Sequence, residues 1–62
     1  MNVFYLLLLI TANPDGSFTV SQEERYDYGP TCEIAREGRQ MLLNGAYESH
    51  KGYICVEEPS EG

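Results

Sequence analysis

Two cysteines, one histidine and ten carboxylates are the side chains of this 62-residue chain best equipped for chemistry, and their spacing supports little of it. His50 stands between Ser49 and Lys51 with no second histidine and no cysteine at metal-ligand spacing, so it reads as a solvated loop residue. Ser17, Ser21, Ser49 and Ser60 lack the glycine-flanked elbow that presents a nucleophile, and no Ser-His-Asp hydrolase is expected. Glu23-Glu24 and Glu57-Glu58 are adjacent, and adjacent strand residues point to opposite faces, which removes them as an acid and base pair. Gly29-Pro30 has neither the glycine spacing nor the lysine of a phosphate-binding loop. The expectation is a non-enzyme without catalytic, cofactor-binding or metal-binding residues, whose function lies in its surface.

Cys32 and Cys55 match neither a zinc pattern nor a redox CxxC. Val3 to Ile10 is wholly apolar, but it has no basic leader and is too short to span a bilayer. It reads as a strand rather than a secretory signal, and the expected location is the cytoplasm, where the two cysteines read as buried free thiols. A bridge is the alternative. The helix begins where the second strand ends, and the third strand finishes at that same end, so the two sulfurs come within reach if Cys55 points at the helix.

The elements follow from local signals. Val3 to Ala12 reads as a strand buried on both sides, Asn13-Pro14-Asp15-Gly16 as a type I hairpin turn with Gly16 at positive φ, and Ser17 to about Arg25 as an edge strand with period-two patterning. Gly29 as N-cap, Pro30 at the first helical position and Glu33 against the dipole start a helix. It runs to about Asn44 and stops at Gly45 in the left-handed region. After a connection over Ala46 to Lys51, Gly52 to Glu57 forms the third strand, and Glu58 to Gly62 an acidic flexible tail. The order β-β-α-β with a right-handed crossover predicts one α+β domain over residues 1–57. Its antiparallel sheet has strand order 2-1-3, with one helix on one face.

The turn predicts a register in which Ala12 faces Ser17, Leu9 faces Val20, Leu7 faces Gln22 and Tyr5 faces Glu24. Tyr5, Leu7, Leu9, Phe18 and Val20 then share the helix side, while Phe4, Leu6, Leu8 and Ile10 point away. On the helix, Ile34, Ala35, Gly38, Met41, Leu42 and Ala46 form the expected inward arc, opposite Glu33, Arg36, Glu37, Gln40 and Asn44. One helix covers one face, so Phe4, Leu6, Leu8 and Ile10 are left as a self-association surface, with a homodimer as the expected state.

The formal net charge is −6, with ten carboxylates against Arg25, Arg36, Arg39 and Lys51, which disfavours direct binding to nucleic acid or to a membrane surface. Tyr26 and Tyr28 flank Asp27 near Glu23, Glu24 and Glu33, a combination of phenols and carboxylates suited to an arginine-rich surface.

A short acidic chain with Phe4-Tyr5-Leu6-Leu7-Leu8, an Asn-Pro-Asp-Gly hairpin, one helix and a Cys-containing last strand resembles small bacteriophage and prophage proteins, and in size and charge the anti-CRISPR group. That group shares no fold, so no functional residue carries over. The resemblance implies inhibition by surface binding, here of a basic surface on a host nucleic-acid-handling complex by Glu23, Glu24, Tyr26, Asp27, Tyr28 and Glu33. The alternative is a self-associating structural or accessory phage module.

Overall fold

In the computed structural model, which describes residues 3–58, β1 (Tyr5–Ala12), β2 (Phe18–Tyr26), α1 (Gly29–Gly45) and β3 (Lys51–Glu57) follow one another along the chain. The sheet order is β2-β1-β3, with β1 antiparallel to both neighbours. This is the β-β-α-β, α+β architecture that the local signals predict. The predicted tail falls partly outside the described residues, but Glu58 is held: its N–H donates to the Phe4 carbonyl at 2.8 Å and its carboxylate pairs with Arg25.

The turn forms as its residue types require, yet it sets a different register. Gly16 sits at φ 91°, its N–H donates to the Asn13 carbonyl at 3.0 Å, and the Asn13 N–H donates to the Ser17 carbonyl at 2.8 Å. The closing pair is therefore Asn13 and Ser17 around a three-residue loop, because Gly16 belongs to the loop as its bulge residue. Ala12 consequently faces Phe18, Ile10 faces Val20 and Leu8 faces Gln22; a second irregularity between Leu7 and Leu8 then brings Leu7 to Glu24 and Tyr5 to Tyr26. Phe18 and Val20 are thus on the side of Leu8 and Ile10, the reverse of the predicted assignment. Asp15 accepts from the Ser17 hydroxyl at 2.6 Å and the Ser17 N–H at 3.0 Å, and these bonds, the hydroxyl's foremost, hold its pKa below the ordinary 3.8. A depressed folded-state pKa stabilises the turn above the ordinary value, and that support is lost as pH falls through the folded one.

Cys32 and Cys55 are joined in a disulfide with Cα atoms 6.3 Å apart, which corrects the expectation of free thiols. Cys55 faces Leu7 across the β1–β3 pair, so the bridge places α1 over the side of the sheet that carries Tyr5 and Leu7. Leu7 and Cys32 are fully buried there, and Leu43 is nearly so. The bridge also turns the helix. Beyond Gly29, its buried or half-buried positions are Cys32, Ala35, Arg36, Arg39, Gln40 and Leu43, while Ile34, Met41 and Leu42 are more than two-thirds exposed. The predicted inward arc is therefore mostly outward: a covalent tie at Cys32 outweighs the hydrophobic preference, and Arg39 takes a place between α1 and the sheet, 3.6 Å from Glu23 and 6.0 Å from the Tyr53 ring centroid. Gln40 accepts the N–H of Tyr53 at 3.0 Å and so occupies a donor of edge strand β3.

The helix ends differ from expectation by one or two positions. Tyr28, with extended φ and ψ, precedes the first turn and makes no side-chain cap, Gly29 is helical, and an added Cβ on Gly29 would lie 3.2 Å from the Tyr5 ring. At the other end Gly45 remains helical and Tyr47, at φ 58°, takes the left-handed position. The Glu48 N–H donates to the Leu43 carbonyl at 3.0 Å and the Tyr47 N–H to Asn44 at 3.2 Å, the bonds of a Schellman stop.

Cys55→Ser, or reduction of the intact protein, removes a cross-link spanning 23 positions and is expected to lower unfolding free energy by about 3 kcal/mol, measured by urea denaturation with and without reductant. Tyr47→Gly relieves a left-handed tyrosine that is 92% exposed and is expected to raise the same free energy by about 1 kcal/mol.

Candidate functional site

Charge distribution is the first property that separates one surface from another. Arg25 pairs with Glu58 at 2.8 Å, Arg36 with Glu33 at 2.7 Å, Arg39 with Glu23 at 3.6 Å and Lys51 with Glu48 at 3.2 Å. Each lysine and arginine side chain is thus matched within the chain. The Glu33 carboxylate, as hydrogen-bond acceptor first and as neighbouring charge second, holds the Arg36 pKa above its ordinary value. Among the described residues, Asp15, Glu24, Asp27, Glu37 and Glu57 have no cationic partner, so they carry the excess negative charge outward.

Three of these five lie at one end. Tyr5 faces Tyr26 on one side and Glu57 on the other, Leu7 faces Glu24, and Asp27 follows directly after β2. Beside them, Val3, Phe4, Tyr5, Asp27, Tyr28, Gly29 and Pro30 line an open cleft of ≈ 440 Å³. Tyr28 is 63% exposed at its lip. A carboxylate with aromatic rings around it is a receptor for a guanidinium or ammonium group, by charge-assisted hydrogen bonds and cation–π contact. The N-terminus of α1 opposes a cation there by roughly 0.3–1 kcal/mol, less than the 1.5–3 kcal/mol typical of a hydrogen bond to a charged group.

The six residues predicted to bind a partner divide on this geometry. Glu24, Tyr26, Asp27 and Tyr28 occupy the acidic corner without ion pairs among the described residues. Glu23 instead pairs with Arg39 and accepts from the Ser21 hydroxyl at 2.9 Å, and Glu33 is held by Arg36. Tyr5 and Glu57 belong to the corner but escaped the sequence reading. Their signal was the β1 pairing, which brings both to the row of Tyr26.

The four residues predicted for self-association also divide. Leu6, Leu8 and Ile10 alternate with Leu7 and so lie on the sheet face opposite α1, joined there by Phe18 and Val20 from β2 and Ile54 from β3. Phe4 is already covered, since the Arg25 guanidinium stacks 3.9 Å from its ring centroid while bonding Glu58.

Among the described residues no group of three or more histidine, cysteine, aspartate or glutamate side chains is placed to hold a metal, and no helix is long and apolar enough to cross a membrane. Comparison with protein-family models, curated protein sequences and solved structures finds no match to this chain.

Proposed function

We propose that this protein is a non-enzymatic inhibitor, phage-encoded and of the anti-CRISPR kind, that docks on a basic surface of a bacterial nucleic-acid-handling complex. The internal matching of Arg25, Arg36, Arg39 and Lys51 is what supports the reading most, because it leaves five carboxylates and neither a lysine nor an arginine unpaired among the described residues of a chain with net charge −6. Glu24, Asp27 and Glu57 supply the carboxylates, and Tyr5, Tyr26 and Tyr28 supply ring area beside them. A surface built to hold phosphates presents arginine and lysine at close spacing, which is the complement of this corner. Like charge also keeps the inhibitor off nucleic acid itself.

The host cytoplasm is where such a target works, and it bears on the Cys32–Cys55 bridge. Disulfides persist in oxidising compartments, and a cytoplasmic inhibitor carries this one only if burial of Cys32 protects it from reductants.

Reversing Glu24 and Asp27 together to lysine changes the corner without breaking an ion pair. Immobilised wild-type protein is expected to capture a nucleic-acid-binding complex from bacterial lysate. Capture should fall as salt rises, compete with added DNA or RNA, and drop at least tenfold for the double variant, an expectation of about 1.4 kcal/mol or more from two lost charge-assisted contacts. Retention of the same proteins by the charge-reversed variant would overturn the electrostatic reading.

A further inference from the structure

The side of the sheet that α1 leaves open is its more apolar side. Leu8 and Ile10 sit at its centre, Phe18 is 69% exposed, Val20 59% and Ile54 42%. We propose that a second copy of this chain stacks on this face, sheet against sheet, giving a twofold dimer with both helices outside. This goes beyond the acidic corner, which lies on other residues and stays open in such a dimer.

Charge selects the occupant. Copies of a chain with net charge −6 repel each other across most of their surfaces. Among the described residues the charged groups on the open face are Arg25 and Glu58, bonded to one another at 2.8 Å over Phe4, and Gln22 opposite Leu8 is polar but uncharged, so a second copy meets a mainly apolar surface without net charge. A basic partner gains nothing there and is drawn to the acidic corner instead. The face is also self-complementary, as a twofold interface must be, because it carries no unmatched charge to oppose its own image.

Size agrees. Phe18, Val20 and Ile54 leave 69%, 59% and 42% of their surfaces open around Leu8 and Ile10, and a symmetric stack covers that set in both copies at once. The chain exposes 4602 Å², where a monomer of its length exposes about 4,000 Å². Its Cα radius of gyration is 12.9 Å, against about 11 Å for a domain of 62 residues. Both excesses are those of a slab, with extents of 40 × 25 × 10 Å, and stacking two slabs face to face lowers the exposed area per copy. The outer stripe of α1, with Ile34, Met41 and Leu42, is the competing surface; it is one helix wide and carries Glu37 beside Met41 and Gln40 in its groove.

Sedimentation velocity on the full, oxidised chain from low to high micromolar concentration tests this. The expected species is a dimer. Val20→Glu and Phe18→Glu, each at a position already exposed, are expected to weaken association at least tenfold while leaving the far-UV circular dichroism unchanged, since each buries an unpaired carboxylate within the stack. Met41→Glu adds the same charge on the helix side and is expected to leave association as it is. The proposal is overturned by a wild-type chain that stays monomeric at the highest concentration. Assembly beyond two copies, association that survives both sheet-face variants, or association lost through Met41→Glu would overturn it equally.

Discussion

The Cys32–Cys55 bond decides which way the helix faces, and most of the molecule's surface follows from that choice. Cys55 lies opposite Leu7 in the sheet, so the bond seats α1 on the side of Tyr5 and Leu7. Cys32 must then point down, and with it the positions three, four and seven residues along, which are Ala35, Arg36 and Arg39. Ile34 and Met41 are carried to the far side of the cylinder. The fully buried residues, Leu7 and Cys32, lie beside the cross-link, and Leu43 extends this small core along the helix. A domain near the lower size limit for independent folding relies on such a staple, because its core alone is too small to fix a unique arrangement.

Much of the topology is legible in the sequence for reasons of local chemistry. Pro14 and Gly16 define a tight turn, Gly45 and the residues after it end a helix within a few positions, and a leading apolar run followed by two more polar strands belongs in the middle of the sheet. Azimuth and register were not legible to the same degree. Closing the hairpin at Asn13 and Ser17 shifts the partners of Leu8 to Ala12 by one, a slip that exchanges faces, and the irregularity between Leu7 and Leu8 shifts those of Leu7 and Tyr5 by two, which restores them. The helix was misread for a different cause: its apolar moment is set by Ile34, Met41 and Leu42, whereas its orientation is set by a bond whose formation depends on a residue 23 positions away.

The acidic corner was half legible. Tyr26-Asp27-Tyr28 announces itself as a segment, but Glu57 and Tyr5 reach it only through pairing on the two sides of β1. Conversely, Glu23 and Glu33 look free in the sequence and are taken by Arg39 and Arg36. The pairing i to i+3 of Glu33 with Arg36 is a helical regularity readable in advance. That of Glu23 with Arg39 depends on how α1 crosses the sheet, and so on the disulfide.

Edges and faces of the sheet are treated differently, and the contrast has a physical logic. An open edge offers unpaired N–H and C=O groups to any passing strand. On β2 the irregularity opposite Leu7 and Leu8 and the run Glu23-Glu24-Arg25 interrupt a regular ladder, and on β3 Gln40 takes the Tyr53 N–H while Lys51 and Glu57 mark the two ends. These features oppose endless lateral growth of the sheet. The open face has no comparable guard: apolar side chains stand there without a free charge among them. Contact between faces is closed after two layers, whereas contact along edges continues indefinitely. A chain that blocks the second and leaves the first available can bury its surplus apolar surface without polymerising, and Glu24, Asp27 and Glu57 remain at the end of the slab where another molecule can reach them.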